Sequence, residues 1–201
     1  MQFLYQRFRK SEQGATAVEY AIVAPILLLL LLGTIEYGLV MYASAVLEGS
    51  TNAAARLAKT GYNNTSTSGT CASPTQTRQQ YITCVIQTRV SGLLKANLLT
   101  VSSKSYSDYG NIGEPEPYTD INGVGHYVVG DPYTDINGNG QWDSDMGAAG
   151  LGGPGDIVVY TASYPWPIFT PMIQQFFGNN GTYTITSSAV VKNEPYPSTS
   201  R

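Results

Sequence analysis

The chain has 201 residues, 42% of them hydrophobic and 12% charged, which fits one compact domain with an additional element and excludes a disordered protein. Its formal net charge of −3 is unevenly distributed, because Arg7, Arg9 and Lys10 against Glu12 give the first fourteen residues +2 and leave −5 for the rest. This scarcity of basic residues beyond the N-terminus argues against a nucleic-acid partner.

Residues 21–41 form a nearly continuous apolar block. The apolar run continues to Tyr42 without the Ala-x-Ala exit that ends the shorter core of an ordinary secretory signal. Its length suffices to cross a bilayer, which takes roughly 20 residues. Helix-favouring residues continue to about Lys59 and predict one long helix, in which Pro25 is tolerated. Six apolar residues of its second half are expected to pack beneath an exported domain: Ala45, Val46, Ala53, Ala54, Leu57 and Ala58.

The basic tip before the apolar block predicts that the N-terminus stays in the cytoplasm and that the remaining chain lies across the membrane. Glu19 stands just inside the block. A carboxylate in lipid is costly, so Glu19 indicates a partner that neutralises it. The alternative is that Glu19 lies at the level of the headgroups and makes no specific contact.

Residues 14–20, Gly-Ala-Thr-Ala-Val-Glu-Tyr, resemble the cleavage motif of type IV prepilins and, in the Glu-Tyr pair, that of the Flp/Tad (tight adherence) systems. The resemblance implies that a prepilin peptidase cuts between Gly14 and Ala15 and makes Glu19 the fifth mature residue. Glu19 and Tyr20 would then register subunits. The freed amine of Ala15 in one subunit can neutralise the buried carboxylate of Glu19 in a neighbour.

The resemblance extends to the TadE-like minor pilins, on residues 14–25, 33–38 and 52–56 and, at the other end, on residues 155–166 and 190–196. It implies a subunit for assembly of a Flp/Tad pilus, which serves adhesion, surface attachment and biofilm formation. The implied partners are the peptidase, other pilins of an oligomeric filament and the assembly platform. The implied location is the bacterial inner membrane with a periplasmic C-terminal domain, or an extracellular pilus. The resulting segments are a leader (1–14), a helix spanning the membrane in its N-terminal half (15–60), and a head (61–201) with an insert (110–155).

The two cysteines, Cys71 and Cys84, both lie in the exported part, where oxidation is permitted, and we expect them to be paired rather than free. Apolar residues recur at steps of three and four between residues 74 and 97 and predict a second helix. A disulfide would join this helix to the preceding loop. Closing so short a loop contributes about 3 kcal/mol in the chain-entropy model.

Three stretches rich in Val, Ile, Thr and Tyr predict strands at residues 98–106, 156–164 and 182–192. They suggest a three-stranded antiparallel sheet laid on the helices. Residues 165–167, Pro-Trp-Pro, are expected to form a loop, and residues 171–177 a small helix that covers one edge. The predicted fold class is therefore α+β and pilin-like, with a long N-terminal transmembrane helix, a small helix and an antiparallel sheet that carries an insert rich in Gly and Asp.

The insert contains an internal repeat, in which residues 116–123 are followed by the similar residues 131–138. In each copy the side chains that contain oxygen follow the spacing of a calcium loop, with glycine at the sixth position. Ca²⁺ is the predicted cofactor. The predicted ligands are Asp120, Asn122 and Asp131 in the first copy and Asp135, Asn137, Asn139, Gln141, Asp143 and Asp145 in the second.

Both copies depart from a full calcium loop. Val124 offers no side-chain oxygen at the fifth position of the first copy, and Met146 takes the twelfth position of the second, one residue after Asp145. Weak or cooperative binding is expected. The alternative is that these Asp-Asn-Gly clusters only form turns.

A catalytic interpretation finds little support in the sequence. His126 is the only histidine and has no nucleophile at a recognisable spacing, and residues 150–155 fit G-x-G-x-x-G but precede a strand instead of a helix. Two cysteines and one distant histidine cannot complete a zinc site. We therefore expect no enzyme. The alternative to a pilin is a membrane-tethered, calcium-dependent binding module that does not polymerise.

Overall fold

The computed structural model describes residues 13–62, 70–175 and 181–195. Most of the predicted leader, including Arg7, Arg9 and Lys10, lies outside the described residues. The chain divides into two compact units. One consists of Met1–Tyr42 with Trp166–Tyr183, and the other of Ala43–Pro165 with Thr184–Arg201.

The prediction of one long N-terminal helix is confirmed. Helix α1 spans Gln13–Ala58 and contains Pro25. From Ala43 onward its buried residues are mostly small and recur at steps of three and four: Ala43, Leu47, Ser50, Thr51, Ala54, Ala55 and Ala58. Two of the residues predicted to pack there, Ala54 and Ala58, are fully buried, whereas Ala45 is exposed because it lies on the opposite face.

Helix α2 spans Arg78–Val90 and is shorter than the predicted 74–97. A capping box starts it, in which Thr77 accepts from the Gln80 N–H while the Gln80 side chain accepts from the Thr77 N–H. After Val90 the chain turns at Ser91 and forms a short 3₁₀-helix at Ala96–Leu98. The helical period of the sequence continues past Val90, but the backbone does not follow it.

The predicted pairing of the cysteines is confirmed. Cys71 and Cys84 form a disulfide with a Cα–Cα distance of 5.6 Å. Cys84 lies on α2, so the bond joins this helix to the loop before it. Beside it, the core of the unit includes Ile82, Ile86 and Val90, each with no exposed surface.

The sheet has four antiparallel strands rather than three, in the order β2-β1-β3-β4. The strands are β1 (Thr100–Tyr106), β2 (Ala148–Ala149), β3 (Ile157–Pro167) and β4 (Thr182–Lys192). The short β2 was not predicted, because two alanines give no strand signal. Alternation along β3 buries Val158, Tyr160 and Ala162 on the core face.

The prediction of a loop at residues 165–167 is wrong, since Pro165, Trp166 and Pro167 continue β3. Strand β1 pairs with β3 only as far as Ser163, opposite Thr100. The two prolines therefore lie where β3 has no neighbour on that side, and they interrupt no ladder there. Helix α3 then spans Pro171–Gln174, and the remainder of the predicted small helix, residues 176 and 177, lies outside the described residues.

Replacing both cysteines, in a Cys71→Ser/Cys84→Ser variant, should lower the free energy of unfolding by about 3 kcal/mol, because the unfolded chain regains the entropy of the open loop. Thermal denaturation of the full chain in detergent, followed by near-UV circular dichroism, measures the change. A reducing agent should destabilise the unsubstituted protein to a similar extent and leave the variant unaffected. Equal stability of the unsubstituted protein and the variant, both measured without a reducing agent, would contradict the prediction.

Candidate functional site

The predicted processing and registration residues lie at the start of α1. Gly14, Ala15, Glu19 and Tyr20 are all helical, and Glu19 and Tyr20 are exposed. A Cβ added to Gly14 would meet no atom within 4 Å in the described part of the chain. Gly14 is therefore uncrowded in that part of the chain, and the Glu19 side chain is exposed.

The following turns of α1 present an apolar surface. Exposed large hydrophobic side chains extend from Val18 to Tyr42, among them Leu27, Leu30 and Leu31. Within the described residues, α1 is the helix that is long and apolar enough to cross a membrane. Since these side chains would contact water in a soluble protein, α1 fits membrane anchoring.

A second carboxylate, Glu36, lies within this apolar surface and yet is only 6% exposed. Its Oε1 accepts from the N–H of Phe169 at 2.5 Å, and its Oε2 accepts from that of Thr170 at 3.2 Å. The sequence analysis did not single out Glu36. The available signal was that Glu36 is the one charged residue between residues 21 and 41.

The second region of interest is the repeat, whose two copies pair through their backbones. The N–H of Thr119 donates to the carbonyl of Pro132, and the N–H of Thr134 donates to the carbonyl of Pro117, both at 2.8 Å. These bonds join equivalent positions in reciprocal order, and the intervening tyrosines form an antiparallel bridge. The sequence repeat is therefore a pair of loops with approximate twofold symmetry.

The first aspartate of each loop closes that loop. Asp120 accepts three successive backbone N–H groups, ending at Gly125, at 2.7 to 3.2 Å. Asp135 accepts the equivalent bonds from Gly138 at 2.6 Å and from Gly140 at 2.8 Å. The bond from Gly125 is the main cause of a lowered pKa of Asp120. Gly125 and Gly140 have φ angles of 80° and 79°, which glycine adopts without strain.

Polar side chains converge within the second loop. The amide nitrogens of Asn137 and Asn139 both donate to Oδ2 of Asp143, at 2.7 and 2.5 Å. Gln141 contributes its backbone N–H to the Asn139 side chain at 2.7 Å. In the first loop, by contrast, the Asn122 side chain is exposed. The structure thus brings together three of the predicted ligands of the second loop.

An acidic residue at the start of each copy crosses to the loop of the other copy. Asp131, which is 4% exposed, accepts from the N–H of Ile121 in the first loop at 3.4 Å. Glu116, which has no exposed surface, accepts from the equivalent Ile136 in the second loop at 2.7 Å and from Asp143 at 3.1 Å. Glu116 was missed by the sequence analysis, although it holds the position in the first copy that Asp131 holds in the second.

Aromatic side chains pack between the two loops. Tyr127 stacks on Trp142 with ring centroids 4.2 Å apart, and Tyr118 contacts both rings edge to face. The Trp142 indole N–H donates to the carbonyl of Glu116 at 2.9 Å. This cluster gives the insert a small core of its own, which holds the loops in register.

Asp145 makes contacts outside the loop. Its carboxylate accepts from Lys104 Nζ and from the Tyr106 hydroxyl, each at 2.8 Å. Burial raises its pKa, but the hydrogen bonds from Lys104, Gly147 and Tyr106 outweigh burial and leave that pKa lowered. Burial and the bond to Asp145 together raise the pKa of Tyr106 to about 12. Asp145 therefore ties the insert to β1.

The second loop offers the donor types that Ca²⁺ prefers, namely carboxylate and amide oxygens. In the described structure the carboxylates accept N–H groups instead, and no three His, Cys, Asp or Glu side chains of the described residues group closely enough to hold a metal. An asparagine amide can present its oxygen rather than its nitrogen after a half-turn of its plane. The residues thus have the donor atoms that a hard cation needs, and their side chains would have to rearrange to bind one.

A model of the family described as TadE-like protein matches residues 14–56. The N-terminal segment of this chain is TadE-like. The match confirms the resemblance at residues 14–25, 33–38 and 52–56, and it covers most of α1, including Gly14, Glu19 and Glu36. The resemblance at residues 155–166 and 190–196 lies outside the match and stays a prediction. No curated protein and no solved structure matches the chain. The TadE-like segment suggests a Tad pilus-associated protein.

Replacing Glu116 by glutamine should lower the free energy of unfolding by about 1–3 kcal/mol, because the amide nitrogen cannot accept one of the buried backbone N–H groups. Thermal denaturation in detergent with a chelator present measures the change. Glu114→Gln, at an exposed position two residues earlier, is the matched control and should have almost no effect. Equal effects of the two substitutions would show that the buried carboxylate does not hold the loops.

Proposed function

We propose that this protein is a TadE-like minor pilin that a prepilin peptidase processes after Gly14, and that it takes part in assembling a Flp/Tad-type pilus for surface attachment. The TadE-like match over residues 14–56 carries the proposal. The helix that contains the match has an exposed cleavage region and an exposed apolar surface, as a subunit needs that is first held in a membrane and then packed against other helices.

In this proposal the first mature residues set the register between subunits. Cleavage leaves an ammonium group on Ala15, and Glu19 lies one helical turn later with its side chain exposed. An ammonium and a carboxylate from neighbouring subunits attract each other strongly where water is scarce. The partners are the peptidase, other pilins and the assembly platform, and the C-terminal domain lies in the periplasm until assembly.

We also propose that Ca²⁺ binds the paired loops. The second loop is the main candidate, because Asn137, Asn139 and Asp143 already converge there and the buried carboxylate of Glu116 reaches the same loop. Glu116 would compensate for Met146 at the twelfth position. The ion would replace the side-chain amides of Asn137 and Asn139 as the partners of Asp143, and backbone N–H groups as the partners of Glu116. It would thereby stiffen the insert.

The paired loops also favour a second candidate function, that of a membrane-tethered, calcium-dependent binding module that does not polymerise. Such a tether needs an apolar helix and the insert, but it needs neither cleavage at Gly14 nor a partner for Glu19. Whether the chain is cleaved after Gly14 therefore distinguishes the pilin from the tethered module.

In the native host, the mature protein should begin at Ala15, and a Gly14→Ala variant should keep Met1, because the peptidase needs glycine at the cleaved bond. Intact mass and N-terminal sequencing of protein from membranes measure this. Gly38→Ala is the matched control, since it makes the same change in α1 at another position where a Cβ meets no atom within 4 Å, and it should be processed normally. An intact Met1 in the unsubstituted protein would exclude the pilin and favour the tethered module.

Calcium should raise the melting temperature of the full chain, while magnesium at the same concentration should not. Binding to the native state alone stabilises it by about 2.7 kcal/mol when the free ion is at 100 times its dissociation constant. Asp143→Asn should abolish this stabilisation and Glu114→Gln should preserve it. An unchanged melting temperature at millimolar calcium would reject the calcium proposal without affecting the pilin assignment.

A further inference from the structure

The segment that joins β3 to β4 has an unusual composition. Residues 157–191 contain no charged side chain, and residues 166–175 are mostly Pro and large apolar residues. Phe169 and Met172 each expose 62% of their surface, although Trp166 and Ile168 beside them are buried. The segment therefore buries Trp166 and Ile168 and exposes Phe169 and Met172.

This segment is fastened to the apolar part of α1. Glu36 accepts the N–H groups of Phe169 and Thr170, and a Cβ on Gly33 would lie 3.6 Å from Cδ1 of Ile173. Gly33 and Glu36 lie on one face of α1, since they are three residues apart. The segment thus lies directly against the helix that fits membrane anchoring.

Much of the backbone here is satisfied without water. The N–H of Ile168 donates to the carbonyl of Gly181 at 2.9 Å, and the N–H groups of Ile173 and Gln174 donate to the carbonyl of Thr170 at 2.9 and 3.0 Å. The N–H groups of Phe169 and Thr170 are bound by Glu36, and the prolines of the segment have none to bind. Each unsatisfied backbone polar group is costly at membrane depth, so these hydrogen bonds lower the cost of placing the segment at the membrane boundary.

The position of the contact on α1 indicates its depth. At about 1.5 Å per residue, Glu36 lies about 27 Å from Val18, where the exposed apolar side chains begin, and about 9 Å from Tyr42, where they end. The hydrocarbon core of a bilayer is about 30 Å thick. A helix that crosses the bilayer with this surface places Glu36 near the boundary of the leaflet farther from the N-terminus.

We propose that residues 166–175 form a second membrane-contact element, which enters the outer part of that leaflet beside α1 with Phe169 and Met172 as its lipid contacts. The inference rests on the proposed membrane anchoring of α1. The element contacts α1 at Glu36 and Gly33 and exposes the apolar side chains of Phe169 and Met172, and its freedom from charge suits a lipid neighbour. Glu36 is the positioning residue, because it binds the backbone of the element rather than the lipid.

The test uses the full chain with its disulfide intact, in vesicles of phosphatidylethanolamine and phosphatidylglycerol. A single added cysteine carries an environment-sensitive fluorophore, and lipids with a quencher near the headgroup or near the chain end report its depth. Met172→Cys and Phe169→Cys probe the element. Leu30→Cys, in the exposed apolar part of α1, and Val129→Cys, which is 93% exposed in the insert, are the membrane and solvent references.

The expected result is quenching at Met172 and Phe169 that is several-fold stronger than at Val129 and is greatest with the quencher near the headgroup. Quenching at Leu30 but not at Met172 or Phe169 would overturn the inference and leave membrane anchoring intact. Absence of quenching at Leu30 would overturn the anchoring and the inference together. Glu36→Gln should reduce quenching at Met172 while quenching at Leu30 stays unchanged.

Discussion

Helix α1 has to suit two environments along one continuous backbone, and the other features of the chain depend on how it does so. Up to Tyr42 its large apolar side chains are exposed, as lipid or a neighbouring helix requires. From Ala43 onward small residues form a buried face that allows close packing. The polar members of that face are satisfied locally, because Ser50 and Thr51 donate their hydroxyl groups to the carbonyls of Val46 and Leu47, four residues earlier.

Buried carboxylates organise the irregular parts of the chain. Glu36, Glu116 and Asp131 are each less than a tenth exposed. Glu36 and Glu116 accept backbone N–H groups from segments distant in sequence, and Asp131 accepts that of Ile121 in the neighbouring loop. The ion pairs of the described residues, Lys59 with Glu194 and Lys104 with Asp145, are by contrast partly exposed. A buried carboxylate that lacks a basic partner needs several donors, so it orders the loop that supplies them.

The same reasoning explains why the two repeat copies work as a unit. Each copy supplies the acidic residue that orders the loop of the other, and aromatic rings stack between the copies. Neither loop is complete alone. A ligand that reorganised one loop would alter the other through Glu116 and Asp131. The proposed calcium binding would therefore have a physical route to cooperativity.

Local patterns in the sequence determined the long helix, the capped helix α2, the three main strands and the TadE-like character of residues 14–56. These features depend on side chains close in the chain, so periodicity, caps and motifs are sufficient to read them. Tertiary structure alone decided where α2 stops, how the prolines extend β3, and that Ala148–Ala149 joins the sheet, because each depends on the strand or loop that lies alongside. It also decided the roles of Glu36 and Glu116. A carboxylate shows its charge in the sequence, but the backbone N–H groups that surround it belong to residues 20 to 134 positions away, and only the folded chain brings them together.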